Sequence, residues 1–235
     1  METIRIAEKI LGKNEEFASA NRQTFDAARV FVVTLVGSAG GGKTSLLERV
    51  IPRLSKEMRA GVVEGDVETE RDGKRIEALG VPLSQVVTGG TCHLNAGMIE
   101  KAVARLPLAN LDLLFIENVG NLICPAAYSL GEHLRVVVMS TTEGEDKPLK
   151  YPAMFRQADA MVVNKIDLLP YVPLNVSELE DYARRVQPEL KIFRTSAQTN
   201  EGIEMWIKWL MECRASWRPA NWTNSFNSSR AAVMR

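Results

Sequence analysis

The sequence is poor in the residues that mark several classes of protein. Its 235 residues include three cysteines and two histidines, and 29 basic side chains balance 29 acidic ones. So few cysteines, in an odd number, do not build a disulfide scaffold and favour a reducing compartment. A net charge of zero gives no overall field for binding nucleic acid or an anionic membrane. The apolar runs fall short of the roughly 20 residues that cross a bilayer, and the first residues mix acids with bases, unlike a secretory signal. We expect a cytoplasmic protein that binds neither nucleic acid nor membrane.

The sequence does contain a regular alternation of short apolar runs and longer amphipathic segments. Predicted strands begin at Phe31, Gly61, Leu111, Arg135, Ala160 and Lys191, with a weaker candidate at Ser84. Helical spacing runs between them, for example over 44–58 and 177–190. Strands that are apolar throughout indicate a mostly parallel α/β sheet with helices on both faces. We predict a helical extension over 1–29, one domain over 30–213 and a mobile tail over 214–235, whose tryptophans leave docking possible.

A phosphate-binding loop follows the first strand. The sequence there fits G-x-x-x-x-G-K-[ST] between a strand and a helix, the context that this motif requires. Glycines let backbone N–H groups approach phosphate oxygens, Lys43 reaches the β- and γ-phosphates, and the Thr44 hydroxyl suits Mg²⁺. A glycine-rich turn without function is the weaker interpretation. The predicted phosphate-binding residues are Gly37, Ser38, Ala39, Gly40, Gly41, Gly42, Lys43, Thr44 and Ser45.

A later strand ends in a motif that favours guanine. Asp167, in the sequence NKID, can accept hydrogen bonds from N1–H and the 2-amino group of guanine, which adenine does not offer. Asn164 and the aliphatic part of Lys165 would support the ring and its loop. Ser196 and Ala197 follow the next strand and match the small-residue loop that lies over guanine in GTPases. We therefore predict GTP and GDP, rather than ATP, as the nucleotides.

Acidic residues end two other strands. Glu117 ends an apolar strand and is the expected second anchor for Mg²⁺, while the backbone of Gly120 can approach the γ-phosphate. Asp66 also ends a strand, where ligands of α/β proteins collect, and could bind the Mg²⁺ shell or orient the attacking water. With Lys43, these two acids form the predicted catalytic set. The acids that follow, Glu68, Glu70 and Asp72, are interpreted as a solvated helix face.

The thiols and imidazoles divide into two groups. Cys92 and His93 are adjacent, and Cys124 follows Gly120 by four residues, a distance of at most about 14 Å along the chain. Two thiolates and an imidazole suit Ni²⁺ or Zn²⁺ rather than Mg²⁺. Three ligands leave the coordination incomplete, and a symmetric dimer would complete it. The alternative is that these cysteines are small buried hydrophobic residues, as we interpret Cys213; His133 is likewise interpreted as structural.

The motifs together resemble the nickel-insertion GTPases of hydrogenase and urease maturation, and among these the HypB family. The resemblance covers roughly residues 14–212 and rests on the strings ENVGNLICPA, TGGTCHLNAGM, TEGEDKPLKYPAMF and NKIDLLPY. It implies a P-loop GTPase that dimerises when GTP is bound. It also implies delivery of nickel to the large subunit of [NiFe]-hydrogenase with a HypA-type partner. In this family the interface metal residues correspond to Cys92, His93 and Cys124. The N-terminal cysteine cluster or histidine-rich stretch of some members is absent here.

Three alternatives remain open at this stage. A small-molecule or nucleotide kinase shares the P-loop but has no reason to carry NKxD. A signalling GTPase would leave the cysteines and histidine as packing residues. Urease maturation also requires nickel delivery, and only the motif resemblance argues against it.

Overall fold

Seven strands form one parallel sheet in the computed structural model, which describes residues 6–219, with side chains from residue 11 onward. The strands are β1 Phe31–Val36, β2 Ala60–Asp66, β3 Leu83–Val87, β4 Leu113–Glu117, β5 Leu134–Ser140, β6 Ala160–Asn164 and β7 Lys191–Arg194. Their order is β3-β2-β4-β1-β5-β6-β7, and every pair is parallel. The predicted parallel α/β sheet is confirmed, and the weak candidate at Ser84 is the edge strand β3.

Helices cover both faces of this sheet. They are α1 Ile6–Ala28, α2 Lys43–Leu54, α3 Arg71–Glu77, α4 Ala96–Val103, α5 Lys147–Lys150, α6 Pro152–Arg156, α7 Val176–Val186 and α8 Ile203–Ser216. On one face α2 and α8 pack against the strands through Leu47 and Trp206. On the other, Phe25 of α1 and Ile99 of α4 fill one cluster, and Phe155 of α6 belongs to a second. Burial on both faces explains why the strands are apolar throughout. Within residues 6–219, no helix is long and apolar enough to cross a membrane.

Helix α1 is joined to the domain by buried polar contacts as well as by apolar packing. The amide of Asn21 donates to the carbonyls of Ala96 and Leu130 at 2.9 and 3.1 Å. The ring of His133 lies 3.0 Å from the Asp26 carboxylate through Nε2, and its Nδ1 accepts the N–H of Val32. These contacts fix α1 beside α4, which begins just after the Cys92–His93 pair.

The last described helix extends past the predicted C-terminal boundary. Helix α8 runs through Ser216, so the predicted boundary at residue 213 falls inside it. The Trp217 ring then packs on Phe31 and His133, with ring centroids 5.5 and 4.6 Å apart. The rest of the predicted tail, residues 220–235, lies outside the described residues.

Candidate nucleotide and metal site

The phosphate loop lies between the end of β1 and the start of α2. Gly42 has φ 94° and lies so close to Asn164 that an added Cβ would be 2.3 Å from its amide nitrogen, so glycine is required there. The Lys43 ammonium is buried and donates to the carbonyls of Gly37 and Ser38 at 3.4 and 3.3 Å. Burial lowers the pKa of this amine. Lys43 therefore lies inside the curve of the loop, where a phosphate oxygen could replace the carbonyls as its partner.

Three oxygen-bearing side chains meet beside Lys43. The Thr44 hydroxyl donates to Oε1 of Glu117 at 2.7 Å, and Glu117 is the register partner of Glu64 on the neighbouring strand β2. Both carboxyl groups are buried, and Oε2 of each has no hydrogen-bond partner among residues 11–219. Desolvation is the main cause that raises the pKa of Glu64 to about 8 and that of Glu117 to about 7, and each further responds to nearby acids. Two unpartnered buried oxygens beside a threonine hydroxyl fit a hard divalent cation such as Mg²⁺.

Two aspartates complete the acidic side of this cavity, whose volume is about 250 Å³. Asp66 accepts the backbone N–H groups of Glu68 and Thr69 at 2.9 and 2.7 Å. Burial alone would raise the pKa of Asp66, but these hydrogen bonds together lower it. Asp72 lies with Glu64 and Asp66 in a group whose ligand atoms are all within 4.8 Å of one another. The interpretation of Asp72 as part of a solvated helix face is therefore wrong, because α3 turns this residue toward the cavity.

Arg75 ties this acidic side to the helix that follows the phosphate loop. Its guanidinium contacts both carboxylate oxygens of Glu48 at 2.9 and 2.7 Å, the Asp72 carboxylate at 2.7 Å and the Ser45 hydroxyl at 2.9 Å. The carboxylates, Glu48 above all, raise the pKa of Arg75. The contacts hold α3 against α2.

The guanine motif forms a second cavity, of about 350 Å³, which adjoins the phosphate loop. Asn164 accepts the N–H of Ala197 at 3.1 Å, and the Lys165 ammonium donates to the Gly40 carbonyl at 2.7 Å. The Ser196 hydroxyl donates to Asp167. Lys165 has φ 64°, in the left-handed region, and this turn brings the motif over the loop. The structure thus brings together all the residues predicted to bind guanine.

The predicted sulfur and nitrogen ligands also meet, although 32 residues separate the cysteines. The Sγ atoms of Cys92 and Cys124 are 2.8 Å apart, and Cys92 Sγ lies 3.9 Å from Nδ1 of His93. All three side chains are partly exposed, and their ligand atoms lie within 4.8 Å of one another. The backbone of Gly120 packs so closely on Ala39 that an added Cβ would be 2.7 Å from its Cα. The segment that leads to Cys124 therefore begins in contact with the phosphate loop.

The surroundings of this thiol–imidazole cluster affect its protonation. The contact with Cys92 is the main cause that raises the pKa of Cys124, and burial lowers the pKa of His93. His93 stacks on Tyr128 with centroids 4.0 Å apart. The lowered pKa of His93 favours the neutral imidazole, which is the form that binds a metal ion, whereas the Cys124 thiol must lose its proton to do so.

Four residues of the site escaped the sequence reasoning: Glu64, Asp72, Arg75 and Asn118. Glu64 sits inside an apolar strand two residues before Asp66, and this unusual position was the available signal. Asn118 is buried and accepts two backbone N–H groups, from Val119 and from Leu94. No local pattern reveals such a long-range contact.

Comparison with known proteins agrees with this geometry. The model of the CobW/HypB/UreG nucleotide-binding domain matches residues 31–194. Hydrogenase maturation factor HypB of Azotobacter vinelandii is 50% identical over 213 residues, which are 91% of this chain and 70% of that protein. The crystal structure of HypB from Helicobacter pylori in complex with nickel is 36% identical with a TM-score of 0.84, over 90% of this chain and 99% of that one. HypB from Archaeoglobus fulgidus is 38% identical with a TM-score of 0.81, over 86% and 99%.

The matched region contains the phosphate loop, both acidic strand ends, the thiol–imidazole cluster and Asn164 to Asp167. An identity of 50% across most of the chain goes well beyond a shared fold. The chain belongs to the HypB family of CobW/HypB/UreG nucleotide-binding proteins.

Proposed function

We propose that this protein is a GTP-hydrolysing metallochaperone that delivers nickel for [NiFe]-hydrogenase maturation in the cytoplasm. The observation that carries the proposal is the thiol–imidazole cluster of Cys92, His93 and Cys124. Cys124 follows Gly120 by four residues, and the Gly120 backbone packs on the phosphate loop. Two sulfurs and one nitrogen suit Ni²⁺, and the same set would accept Zn²⁺. The incomplete ligand set supports a homodimer in which two copies share the metal ion. A HypA-type protein and the hydrogenase large subunit are the proposed partners, by family.

The residues of the phosphate loop would bind GTP, and Asp167 would select guanine. Thr44, Glu117 and Asp66 would hold Mg²⁺, directly or through water. When bound, this ion would neutralise charge on the phosphates. Lys43 would hold the β- and γ-phosphates, and Asp66 would orient the attacking water, with its pKa kept low enough to remain ionised.

Binding and loss of the γ-phosphate would move the Asp66 and Glu117–Gly120 segments, an order–disorder switch of the kind that other GTPases use. Cys124 would move with the second of these segments. GTP would then favour the dimer and its shared metal site, and hydrolysis would weaken both. Because linkage is reciprocal, bound nickel must change GTP affinity or dimerisation by the same factor.

The test combines metal analysis with mass determination. Wild type, Cys124→Ala and Cys213→Ala are each saturated with Ni²⁺ and with either GDP or a non-hydrolysable GTP analogue. Cys213 is a matched control, because it is a partly buried free cysteine on α8. We expect stoichiometric nickel and a dimer with the analogue for wild type and for Cys213→Ala, and loss of nickel for Cys124→Ala. Equal nickel content in all three would show that Cys124 does not hold nickel and would overturn the proposed metal site.

Selectivity for guanine is tested separately. A fluorescent GDP analogue is displaced by GTP or by ATP, and we expect only GTP to compete at micromolar concentration. Equal displacement by ATP would exclude the proposed role of Asp167.

A further inference from the structure

Leu94 connects the metal cluster to one of the nucleotide-facing strand ends through its backbone. Its N–H donates to Oδ1 of Asn118 at 3.0 Å, and the same oxygen accepts the N–H of Val119 at 2.9 Å. Leu94 directly follows His93, and Asn118 directly follows Glu117. Asn118 is only 2% exposed, so water does not offer Leu94 an easy replacement for this partner.

The side chain of Leu94 connects the same residue to the other strand end. It is fully buried and lies on the backbone of Gly65, where an added Cβ would be 2.7 Å from Leu94 Cδ1. Gly65 lies between Glu64 and Asp66 and has no side chain to separate Leu94 from strand β2. One residue thus contacts both acidic strand ends, and its neighbour is His93.

We infer that Leu94 and Asn118 form a relay that transmits the nucleotide state to the Cys92–His93 half of the metal cluster. The inference rests on the proposed function, since it names the residues through which GTP would change nickel affinity. A packed interior shifts between discrete arrangements rather than deforming continuously. When the Asp66 or Glu117–Gly120 segment moves, Leu94 must therefore move with it or lose its hydrogen bond and its packing.

The relay acts on a different part of the cluster from the chain segment 120–124. That segment moves Cys124 alone, whereas Leu94 moves the backbone that carries Cys92 and His93. With both connections, the nucleotide changes the geometry between the two halves of the cluster. Asn118 and Leu94 are positioning residues in this scheme, because the Leu94 side chain has no donor atom and the Asn118 Oδ1 already accepts the N–H groups of Leu94 and Val119.

The experiment measures the Ni²⁺ dissociation constant by competition with a chelator, with GDP and with a non-hydrolysable GTP analogue. The proteins are wild type, Leu94→Ala, Asn118→Ala and the control Leu179→Ala. Leu179 on α7 is a fully buried leucine in a different core cluster from that of Leu94 and does not line the nucleotide cavity. Coupling between two sites is typically about 5- to 150-fold. We expect a ratio in this range for wild type and for the control, and a ratio within about twofold of one for both relay variants.

The outcomes separate the relay from the proposed function. Relay variants that keep the wild-type ratio overturn the relay and leave metal delivery standing. A wild-type ratio of one overturns the relay together with the coupling on which it rests. If only one of the two relay variants keeps the wild-type ratio, the contact that this variant removes is irrelevant to the coupling, and the relay as stated is also overturned.

A measurement on the unmodified protein remains decisive if a variant does not fold. Hydrogen exchange of the Leu94 amide is compared with that of the Ala96 amide, which donates to a buried asparagine on α1, Asn14, at 2.9 Å. We expect protection of Leu94 to differ at least about fivefold between the two nucleotides, and that of Ala96 by less than about twofold. Equal changes at both amides would overturn the relay.

Discussion

Gly65→Ala tests the packing of Leu94 on strand β2, on which the proposed relay depends. The methyl group that this change adds would lie 2.7 to 2.8 Å from three atoms of the Leu94 side chain. Leu94 cannot simply turn aside, because it is fully buried among Val63, Ile99 and Leu114. The change therefore forces Leu94 or the strand to shift.

The magnitude follows from the size of the overlap. Overpacking of a dense core costs about 1–3 kcal/mol of unfolding free energy, and we expect Gly65→Ala to fall in this range. Leu94→Ala alone removes a fully buried leucine and should cost about 2–5 kcal/mol. In the double variant the new methyl group occupies space that the leucine has left. The cost of the double variant should then fall short of the sum of the two single costs by about 1–3 kcal/mol.

Urea unfolding of wild type, the two single variants and the double variant measures the interaction energy between Gly65 and Leu94. Gly97→Ala is the control for the added methyl group, because a Cβ there meets its nearest atom at 3.5 Å and the residue lies within α4. Its stability should remain equal to that of wild type or increase by up to about 1 kcal/mol. If the costs of Gly65→Ala and Leu94→Ala add within about 0.5 kcal/mol, the two residues do not share the contact described here, and the reasoning fails.

Three further predictions concern single groups. His133 accepts a backbone N–H through Nδ1, and desolvation lowers its pKa to about 4. Between about pH 6.5 and 4 the unfolded chain therefore binds more protons at this residue than the folded protein does. The unfolding free energy should fall by up to about 3 kcal/mol as the pH falls through this range. Urea unfolding midpoints at pH 7.5 and 5 measure this loss. If the loss of unfolding free energy between these two pH values is the same in His133→Gln as in wild type, the prediction is contradicted. Asp167→Ala should weaken GTP binding by about 10²- to 10⁴-fold, because two charge-assisted hydrogen bonds are worth about 3–6 kcal/mol; ATP binding should not change, and calorimetry with both nucleotides decides. Hydrogen peroxide should join Cys92 to Cys124, since two thiols and one peroxide give a disulfide and two waters; bound Ni²⁺ should slow this reaction, and peptide mapping that finds the bond equally fast with and without the metal would exclude a shared site.

The sequence predicts those parts of the molecule whose signals are local. The phosphate loop needs only a strand, a glycine pattern and a helix in succession, and the structure places the loop between β1 and α2 as predicted. The strand that ends in Asn164 is also predicted by a local signal, because the NKID motif directly follows an apolar run. Even the weak strand at Ser84 is present, as β3 at the edge of the sheet.

The parts that were missed depend on registers between strands and on the direction of a short helix. Glu64 becomes a site residue because β2 pairs with β4 in the register that places it beside Glu117. The sequence of β2 alone does not determine its register with β4. Asp72 looked solvated because charged residues surround it in the sequence, but the turn that Asp66 forms with Glu68 and Thr69 redirects the chain, and α3 then brings Asp72 back toward the cavity.

The topology places the nucleotide cavity and the thiol–imidazole cluster close enough together for the proposed coupling. Parallel strands end on one edge of the sheet, so β1, β2 and β4 bring the phosphate loop, Asp66 and Glu117 together. The chain that leaves β4 reaches Cys124 within seven residues of Glu117, and the chain that leaves β3 reaches Cys92 within five residues of Val87. The thiol–imidazole cluster made from these two loops lies one short loop away from the phosphate loop, and Leu94 alone contacts both strand ends. The proposed coupling then requires no long pathway, because a shift of either strand end would displace Leu94, which is next to the proposed ligand His93.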